Sequence, residues 1–410
     1  MADLTVKEFG MINPFVVASS PATRGAENVI RVSKIRPGAI VLRNYGHGMG
    51  GGGFIYPNAN AMYSGKQAFH SHAVGTQLPD NLSSLEQYCE EVHKAKKGID
   101  SDIKLWVSVG HYSDIVKGGD WEKDWIRQAK ELEAAGADAV ELHFNTPGVA
   151  VAKNRSFDYY QLVYNCTKMI RSVVKIPVMV KLAVEACDPF TSIRLATDAG
   201  AFAVGPTARW KGFYFDLNWR ETQARPGSGY GGTQANPIVC YAVAESRSAG
   251  IKTPMFAGGG VFSYDQAARI IMAGSQCVQL GALACSGGID AAGKLISDFA
   301  SWMDKAGYAD MDSLCGDALK LFNMPKEIAA ERTRRLGESY RTTQADPEKC
   351  VGCGRCESVC WYKGIALENG KARKTPDCIG CGYCFQVCPT GALKVDAGRI
   401  LASVFEENGI

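Results

Sequence analysis

Trp121-Glu-Lys-Asp-Trp-Ile-Arg-Gln-Ala-Lys-Glu-Leu-Glu-Ala-Ala-Gly136-Ala-Asp-Ala139-Val-Glu-Leu-His-Phe144 is the stretch whose reading decides the fold. Its apolar residues follow a 3.6-residue rhythm up to Ala135, the mark of an amphipathic helix. Gly136 stops that helix. Ala139–Phe144 then reads as a short strand. Working outward, the same theme recurs up to about residue 310. Seven further strands are expected at Phe15–Ala18, Ala39–Arg43, Lys104–Val109, Val178–Leu182, Phe202–Gly205, Met255–Gly258 and Cys277–Leu280. Strand and helix alternating at this spacing imply a parallel sheet. Eight such units in about 300 residues fit a (β/α)8 TIM barrel of the α/β class. The alternative is an open doubly wound sheet. The strand count, and the lack of a Gly-x-Gly-x-x-Gly fingerprint after the first strand, favour the barrel.

Composition narrows the rest. The chain has 410 residues, with 45 Lys+Arg against 42 Asp+Glu, a formal charge of +3. That balance excludes a basic nucleic-acid binder and an acidic solvating tail as the main identity. With 46% hydrophobic and 21% charged residues the chain is an ordinary globular one. No apolar run is long enough for a membrane span, and the N-terminus lacks the pattern of a signal peptide. A cytoplasmic protein is expected.

Of 15 cysteines, seven are scattered (Cys89, Cys166, Cys187, Cys240, Cys277, Cys285, Cys315) and eight lie between Cys350 and Cys388. In a reducing compartment a dense cluster of this kind points to metal. Cys350-Val-Gly-Cys353-Gly-Arg-Cys356-Glu-Ser-Val-Cys360 is repeated 28 residues later as Cys378-Ile-Gly-Cys381-Gly-Tyr-Cys384-Phe-Gln-Val-Cys388. Each half is C-x2-C-x2-C-x3-C, the two-cluster ferredoxin run in which the fourth cysteine serves the other cluster. The metal ligands expected are Cys350, Cys353, Cys356 and Cys388 for one [4Fe-4S] cluster. Cys378, Cys381, Cys384 and Cys360 are expected for the second. Zinc ribbons use paired CxxC motifs instead. Trp361 stands where the pattern has proline. The domains expected are a barrel over 1–310, a helical connector over 311–345, an α+β 2[4Fe-4S] ferredoxin domain over 346–395 and a tail over 396–410.

A barrel followed by such a module resembles the FMN-and-cluster half of dihydropyrimidine dehydrogenases, whose barrel is of the dihydroorotate dehydrogenase family. The resemblance rests on Asn13–Pro21 at the first strand, Ile176–Lys181 at the fifth and Gly227–Ile238, similar to the glycine-rich loop before the seventh helix. Met255–Val261 and Gln279–Ala282, at the last two strands, are similar to the family's phosphate site. It implies FMN held by Ala18, Ser19, Ser20, Arg43, Asn44, Lys181, Gly231, Gly232, Gly259, Gly260, Gly281 and Ala282. Lys181 would stabilise negative charge on the reduced ring.

The pocket departs from the family. Where the family has Asn-x-Ser-Cys-Pro, with the cysteine as acid, this chain has His143-Phe-Asn-Thr146-Pro. Gly205-Pro206-Thr207 replaces the Asn-Thr that binds pyrimidine amides. These changes argue against uracil or thymine as substrate. His143, Thr146, Lys153 and Tyr159 are the candidates for proton transfer. The aromatic and cationic segment Arg209–Arg220 suits either a flat substrate or a packing surface, and Tyr45–Phe54 reads as a loop or lid.

The expected activity is an FMN- and iron–sulfur-dependent oxidoreductase that reduces an activated C=C or ring. A flavin–NAD(P)H subunit or soluble ferredoxin would be the electron donor, in a homo-oligomer. A true dihydropyrimidine dehydrogenase subunit and an electron-relay subunit of a larger complex are the other readings.

Overall fold

The computed structural model describes residues 2–43, 62–64, 67–70, 84–109, 119–144, 158–182, 188–207, 210–212 and 228–408. Contacts divide the chain into two compact units, Met1–Leu319 and Lys320–Ile410.

The first unit is the barrel. Its strands are β1 (Phe15–Val17), β2 (Ala39–Leu42), β3 (Lys104–Val109), β4 (Ala139–His143), β5 (Val178–Lys181), β6 (Ala203–Gly205), β7 (Phe256–Gly258) and β8 (Cys277–Leu280). All eight fall within a residue or so of their expected positions. Every ladder is parallel, running β7-β8-β1-β2-β3-β4-β5-β6. A parallel bridge between Val204 and Met255 joins β6 to β7 and closes the ring. The strands are short and apolar because both faces are buried, one by helices and one by the barrel interior.

Each strand is followed by a covering helix: α1 (Gly25–Ser33), α2 (Leu85–Gly98), α3 (Trp121–Ala134), α4 (Tyr159–Arg171), α5 (Pro189–Asp198), α6 (Ala235–Ser248), α7 (Tyr264–Met272) and α8 (Gly288–Ala306). In α3 the buried face is Trp125, Ala129 and Leu132, spaced four and three residues apart. Burying a side chain such as Leu132 contributes roughly 1.5–3 kcal/mol. The helix ends where Ala137 N–H turns back to the Leu132 carbonyl at 3.2 Å.

The barrel floor is aromatic. Phe9, on a 3₁₀ turn ahead of β1, stacks on Trp106 at 6.1 Å and meets Phe202 edge-on at 5.4 Å. Trp106 meets Phe256 at 5.6 Å. Above it lies a polar layer. Glu141 is fully buried and accepts from Ser108 Oγ at 3.0 Å and from Gln279 Nε2 at 3.2 Å. The bond from β8 to β4 crosses the barrel, so Glu141 faces its interior. His143, two residues on, shares that face.

Two findings differ from the sequence reading. Ser228–Gly232 is a strand of a separate four-stranded antiparallel sheet with Met62–Ser64, Gln67–His70 and Trp210–Gly212. The helix it leads into, α6, follows the sixth strand and is the sixth barrel helix, one earlier than the count expected.

The second unit contains a hairpin, β9 (Ile365–Glu368) and β10 (Lys371–Lys374), closed by Asn369-Gly370. Both turn residues have positive φ (52° and 72°), the geometry that Asn-Gly favours. Short helices Arg355–Ser358 and Tyr383–Gln386 stand 28 residues apart, the period of the cysteine repeat. Helix α9 (Lys326–Thr342) packs on the C-terminal helix α10 (Ala397–Asn408). Arg335 forks onto Glu407, with Nη1 to Oε1 at 2.7 Å, and Arg332 lies 4.5 Å over the Phe405 ring.

Candidate active-site rim and cysteine cradles

Barrel chemistry sits where strands end, and the described candidates lie there. Ala18 follows β1, Arg43 follows β2, His143 ends β4, Lys181 ends β5, Gly259 and Gly260 follow β7, and Gly281 follows β8. His143 and Lys181 are Cα partners across the β4–β5 ladder. Lys181 is 7% exposed, and its carbonyl accepts from Phe144 N–H at 2.9 Å, which fixes the two strand ends together. A buried cation and an imidazole therefore sit side by side, one layer above the Ser108–Glu141–Gln279 network.

Arg43 is held through its backbone. Its N–H donates to the Thr23 carbonyl at 3.1 Å, and Tyr88 Oη donates to the Arg43 carbonyl at 2.9 Å. Burial pulls the Arg43 guanidinium below its usual pKa, and the charge of Arg24 adds to this. Arg24 was not singled out in the sequence. Its place just after the Ser19–Thr23 turn was the available signal.

Ser20 is buried, and its Oγ has no hydrogen-bond partner among the described residues. The turn is closed by Ser20 N–H to Thr23 Oγ1 and Thr23 N–H to the Ser20 carbonyl, both at 3.1 Å. A buried hydroxyl left over by the protein suits a bound polar ligand. Ala18 N–H donates to the Leu280 carbonyl at 3.2 Å, and a β-carbon on Gly281 would lie 3.7 Å from that of Ala18.

The two glycine-rich segments meet. A β-carbon on Gly260 (φ +69) would come within 2.5 Å of the Gly232 carbonyl oxygen and 2.8 Å of Asn236 N. Only glycine fits that approach. Thr207 Oγ1 donates to the Gly258 carbonyl at 2.7 Å and so holds this turn to the end of β6. Ser19 flanks the β1 turn, Gly231 pairs with Ala68 in the antiparallel sheet, and Ala282 opens a five-residue helix.

Tyr159 is buried against Phe144, with ring centroids 6.4 Å apart. Asn44, Thr146, Lys153 and Cys187 lie outside the described residues, as do all of Tyr45–Phe54 and all of Arg209–Arg220 but Trp210–Gly212. Burial pushes the Cys166 thiol up to about 12 and that of Cys277 well above its usual value.

In the second unit the eight clustered cysteines surround two hollows. One, of about 340 Å³, is lined by Cys350, Cys353, Cys356 and Cys388. The other, of about 310 Å³, is lined by Cys360, Cys378, Cys381 and Cys384. Each hollow thus takes three thiols from one repeat and one from the other. Backbone amides face the sulfurs: Ala372 N–H lies 3.4 Å from Cys350 Sγ and Gly364 N–H 3.1 Å from Cys360 Sγ. Burial pushes the Cys388 thiol up, but bonds from the Leu393, Thr390 and Ala392 backbones and the Thr390 hydroxyl outweigh it, and the net shift is downward. Trp361 is 90% exposed.

The second loop is braced by α9. Gly380 (φ +79) sits against Gly337, where a β-carbon would lie 2.7 Å from the Gly337 carbonyl carbon, and Phe385 packs on Tyr340 at 4.8 Å.

Comparison with known proteins gives two family matches. Residues 342–389 match the 4Fe-4S dicluster domain, and residues 78–303 match the dihydroorotate dehydrogenase family. Among curated relatives, dihydroorotate dehydrogenase A (fumarate) of Lactobacillus helveticus is 25% identical over 201 residues, 48% of this chain and 65% of that protein. The match therefore spans just under two thirds of that relative's length. The catalytic subunit of dihydroorotate dehydrogenase B (NAD(+)) from Methanosarcina mazei is 25% identical over 313 residues, 74% of this chain and 91% of that one. Its counterpart from Methanocaldococcus jannaschii is 24% identical over 307 residues, covering 71% and 90%. A family match over residues 78–303, more than half of the chain, makes this protein a member of the dihydroorotate dehydrogenase family, with a 4Fe-4S dicluster domain later in its sequence.

Proposed function

We propose that the chain is an oxidoreductase holding FMN on the barrel rim and two [4Fe-4S] clusters in the cysteine hollows. It would reduce an activated C=C bond or ring other than uracil or thymine. The observation that carries this is the crossed ligand set. Cys360 lines the hollow of the second repeat and Cys388 that of the first, as a two-cluster ferredoxin module requires. Bound there, the clusters supply single-electron transfer, and FMN supplies hydride exchange with carbon.

The protein's own groups fit those guests. Lys181, buried at the end of β5, offers positive charge to a ring that becomes anionic on reduction. Arg43 and Arg24, both half-buried, add a second cationic point, and Ser20 Oγ a donor. The Gly259-Gly260 turn and Gly281-Ala282 take the phosphate position expected at the last two strands. His143, beside Lys181 on the interior face, is assigned the proton delivered from an imidazole nitrogen.

Thr146 and Pro206 replace the family's acid and its amide reader, which turns the site away from pyrimidines. Three relatives of this family are dehydrogenases acting on dihydroorotate, and two of them are catalytic subunits of NAD(+) enzymes by name. A separate flavin–NAD(P)H subunit or a soluble ferredoxin is accordingly the electron donor we assign.

The test is anaerobic. Acid-released flavin, iron and sulfide are measured on the purified chain. The reduced protein is then screened for substrate-dependent flavin reoxidation. A chain with neither flavin nor clusters overturns the proposal, and fast reoxidation by uracil or thymine overturns its substrate clause.

A further inference from the structure

The two cysteine hollows share one backbone plan but not one electrostatic environment. The second hollow carries a lysine on its sulfurs. Lys374 Nζ lies 3.1 Å from Cys384 Sγ and 3.7 Å from Cys378 Sγ, and 4.9 Å over the Phe385 ring. Its backbone is fixed at the end of β10 by pairing with Ile365 and by Lys374 N–H donating to Gln344 Oε1 at 3.1 Å. Lys374 is half-buried.

The matching place in the first repeat holds the opposite charge. Lys374 precedes Cys378 by four residues, and Asp346 precedes Cys350 by the same step. Asp346 turns to Lys349 at 2.8 Å, and its carbonyl accepts from Cys350 N–H at 2.9 Å. Cations do stand near the first hollow. Lys371 Nζ, however, is spent on the Cys350 carbonyl at 2.6 Å, and Arg355 lines the wall. Among the described residues, Lys374 is the charged donor that reaches a cysteine sulfur of either hollow.

We propose that Lys374 sets the reduction potential of the cluster held by Cys360, Cys378, Cys381 and Cys384, raising it above that of the other cluster. Reduction adds one negative charge to a cluster. A charged N–H donor on two of its sulfurs stabilises the reduced form more than the oxidised one. Net charge and hydrogen bonds to sulfur are the means by which proteins set cluster potentials. The first electron to arrive would then rest on the second cluster.

The inference rests on the two-cluster assignment above. The test is an anaerobic redox titration of the cluster-loaded full chain, followed by electron paramagnetic resonance. Lys374→Gln and Lys374→Met are compared with wild type and with Lys374→Arg. Both neutral variants are expected to make one cluster about tenfold harder to reduce, a shift of about 59 mV for one electron, and to leave the other in place. Arginine is expected to restore most of the shift.

Unmoved midpoints at full iron and sulfide content overturn the role of Lys374 and leave the cluster assignment standing. Loss of one cluster in both neutral variants also overturns it, because Lys374 would then retain the cluster rather than set its potential. A wild-type chain that binds no clusters overturns the assignment itself.

Discussion

Replacing Gly380 by alanine tests whether helix α9 is part of the fold that shapes the second cysteine loop. Two costs follow from the structure. Gly380 has φ +79°, and an L-residue held in the left-handed region costs roughly 1–2 kcal/mol. The added β-carbon also falls 2.7 Å from the Gly337 carbonyl carbon and 3.0 Å from its Cα. Comfortable carbon contacts begin near about 3.5 Å. The neighbour is helix backbone, which cannot rotate away as a side chain can. Overpacking of this kind costs roughly 1–3 kcal/mol more.

Gly370 isolates the first cost, because its φ is +72° and a β-carbon there meets nothing within 4 Å. The packing penalty is therefore the difference between Gly380→Ala and Gly370→Ala, roughly 1–3 kcal/mol. For a unit running from Lys320 to Ile410, each kcal/mol lowers Tm by roughly 4–8 °C. Thermal loss of cluster absorbance is the assay. Gly380→Ala is expected to melt at least about 4 °C below Gly370→Ala. Equal melting of the two variants would refute the reasoning.

Three other outcomes are expected. Glu141→Ala strands the buried donors of Ser108 and Gln279 and should cost roughly 2–4 kcal/mol in denaturant unfolding of the barrel, with Glu141→Gln milder; a loss under about 0.5 kcal/mol would contradict the interior network. Cys388→Ser should leave the same residual cluster spectrum as Cys350→Ser, and Cys360→Ser the same as Cys378→Ser; pairing by repeat instead would undo the crossed assignment. Tyr308, which donates to Asp317 Oδ2 at 2.8 Å, has its phenol pushed up to about 12 by burial and by that bond. Its folded-state pKa is raised, so its contribution is intact below about pH 10 and lost as pH rises towards 12. Tyr308→Phe should flatten that part of the stability curve, and an unchanged slope would speak against the burial.

The barrel was legible because its strands, buried on both faces, are continuous apolar runs that the helices between them punctuate. The cysteine ligands were legible because their spacing is local. Contacts between distant segments left no such pattern. Ser108, Glu141 and Gln279 each look like a polar interruption of an apolar strand, and closure of the barrel alone brings them together. The antiparallel sheet uses Ser228-Gly-Tyr-Gly-Gly232, which lacks the β-branched residues that mark a strand, and its partner lies at Gln67–His70. Asp346 and Lys374 stand at the same step of the 28-residue period, but their opposite charges gain a meaning only where the fold sets Lys374 against the cysteine sulfurs.

That period also frames what the second unit does. Two identical half-repeats would hold two equivalent clusters, and an electron would have no preferred resting place. The half-repeats here keep the ligand spacing and the short helices but differ in what surrounds them. The first loop packs its Gly352 on the hairpin turn at Gly370, whereas the second packs Gly380 on α9. Pro389 follows the second run, whereas an exposed tryptophan, Trp361, follows the first. Asp346 stands where the other half has Lys374. Because the backbone plan is shared, the inequivalence lies in side chains and in the bracing helix. On the proposal that Lys374 sets the potential, the charge at that position carries the electronic part of the difference, and Lys374→Gln at unchanged cluster content is the smallest change expected to remove it.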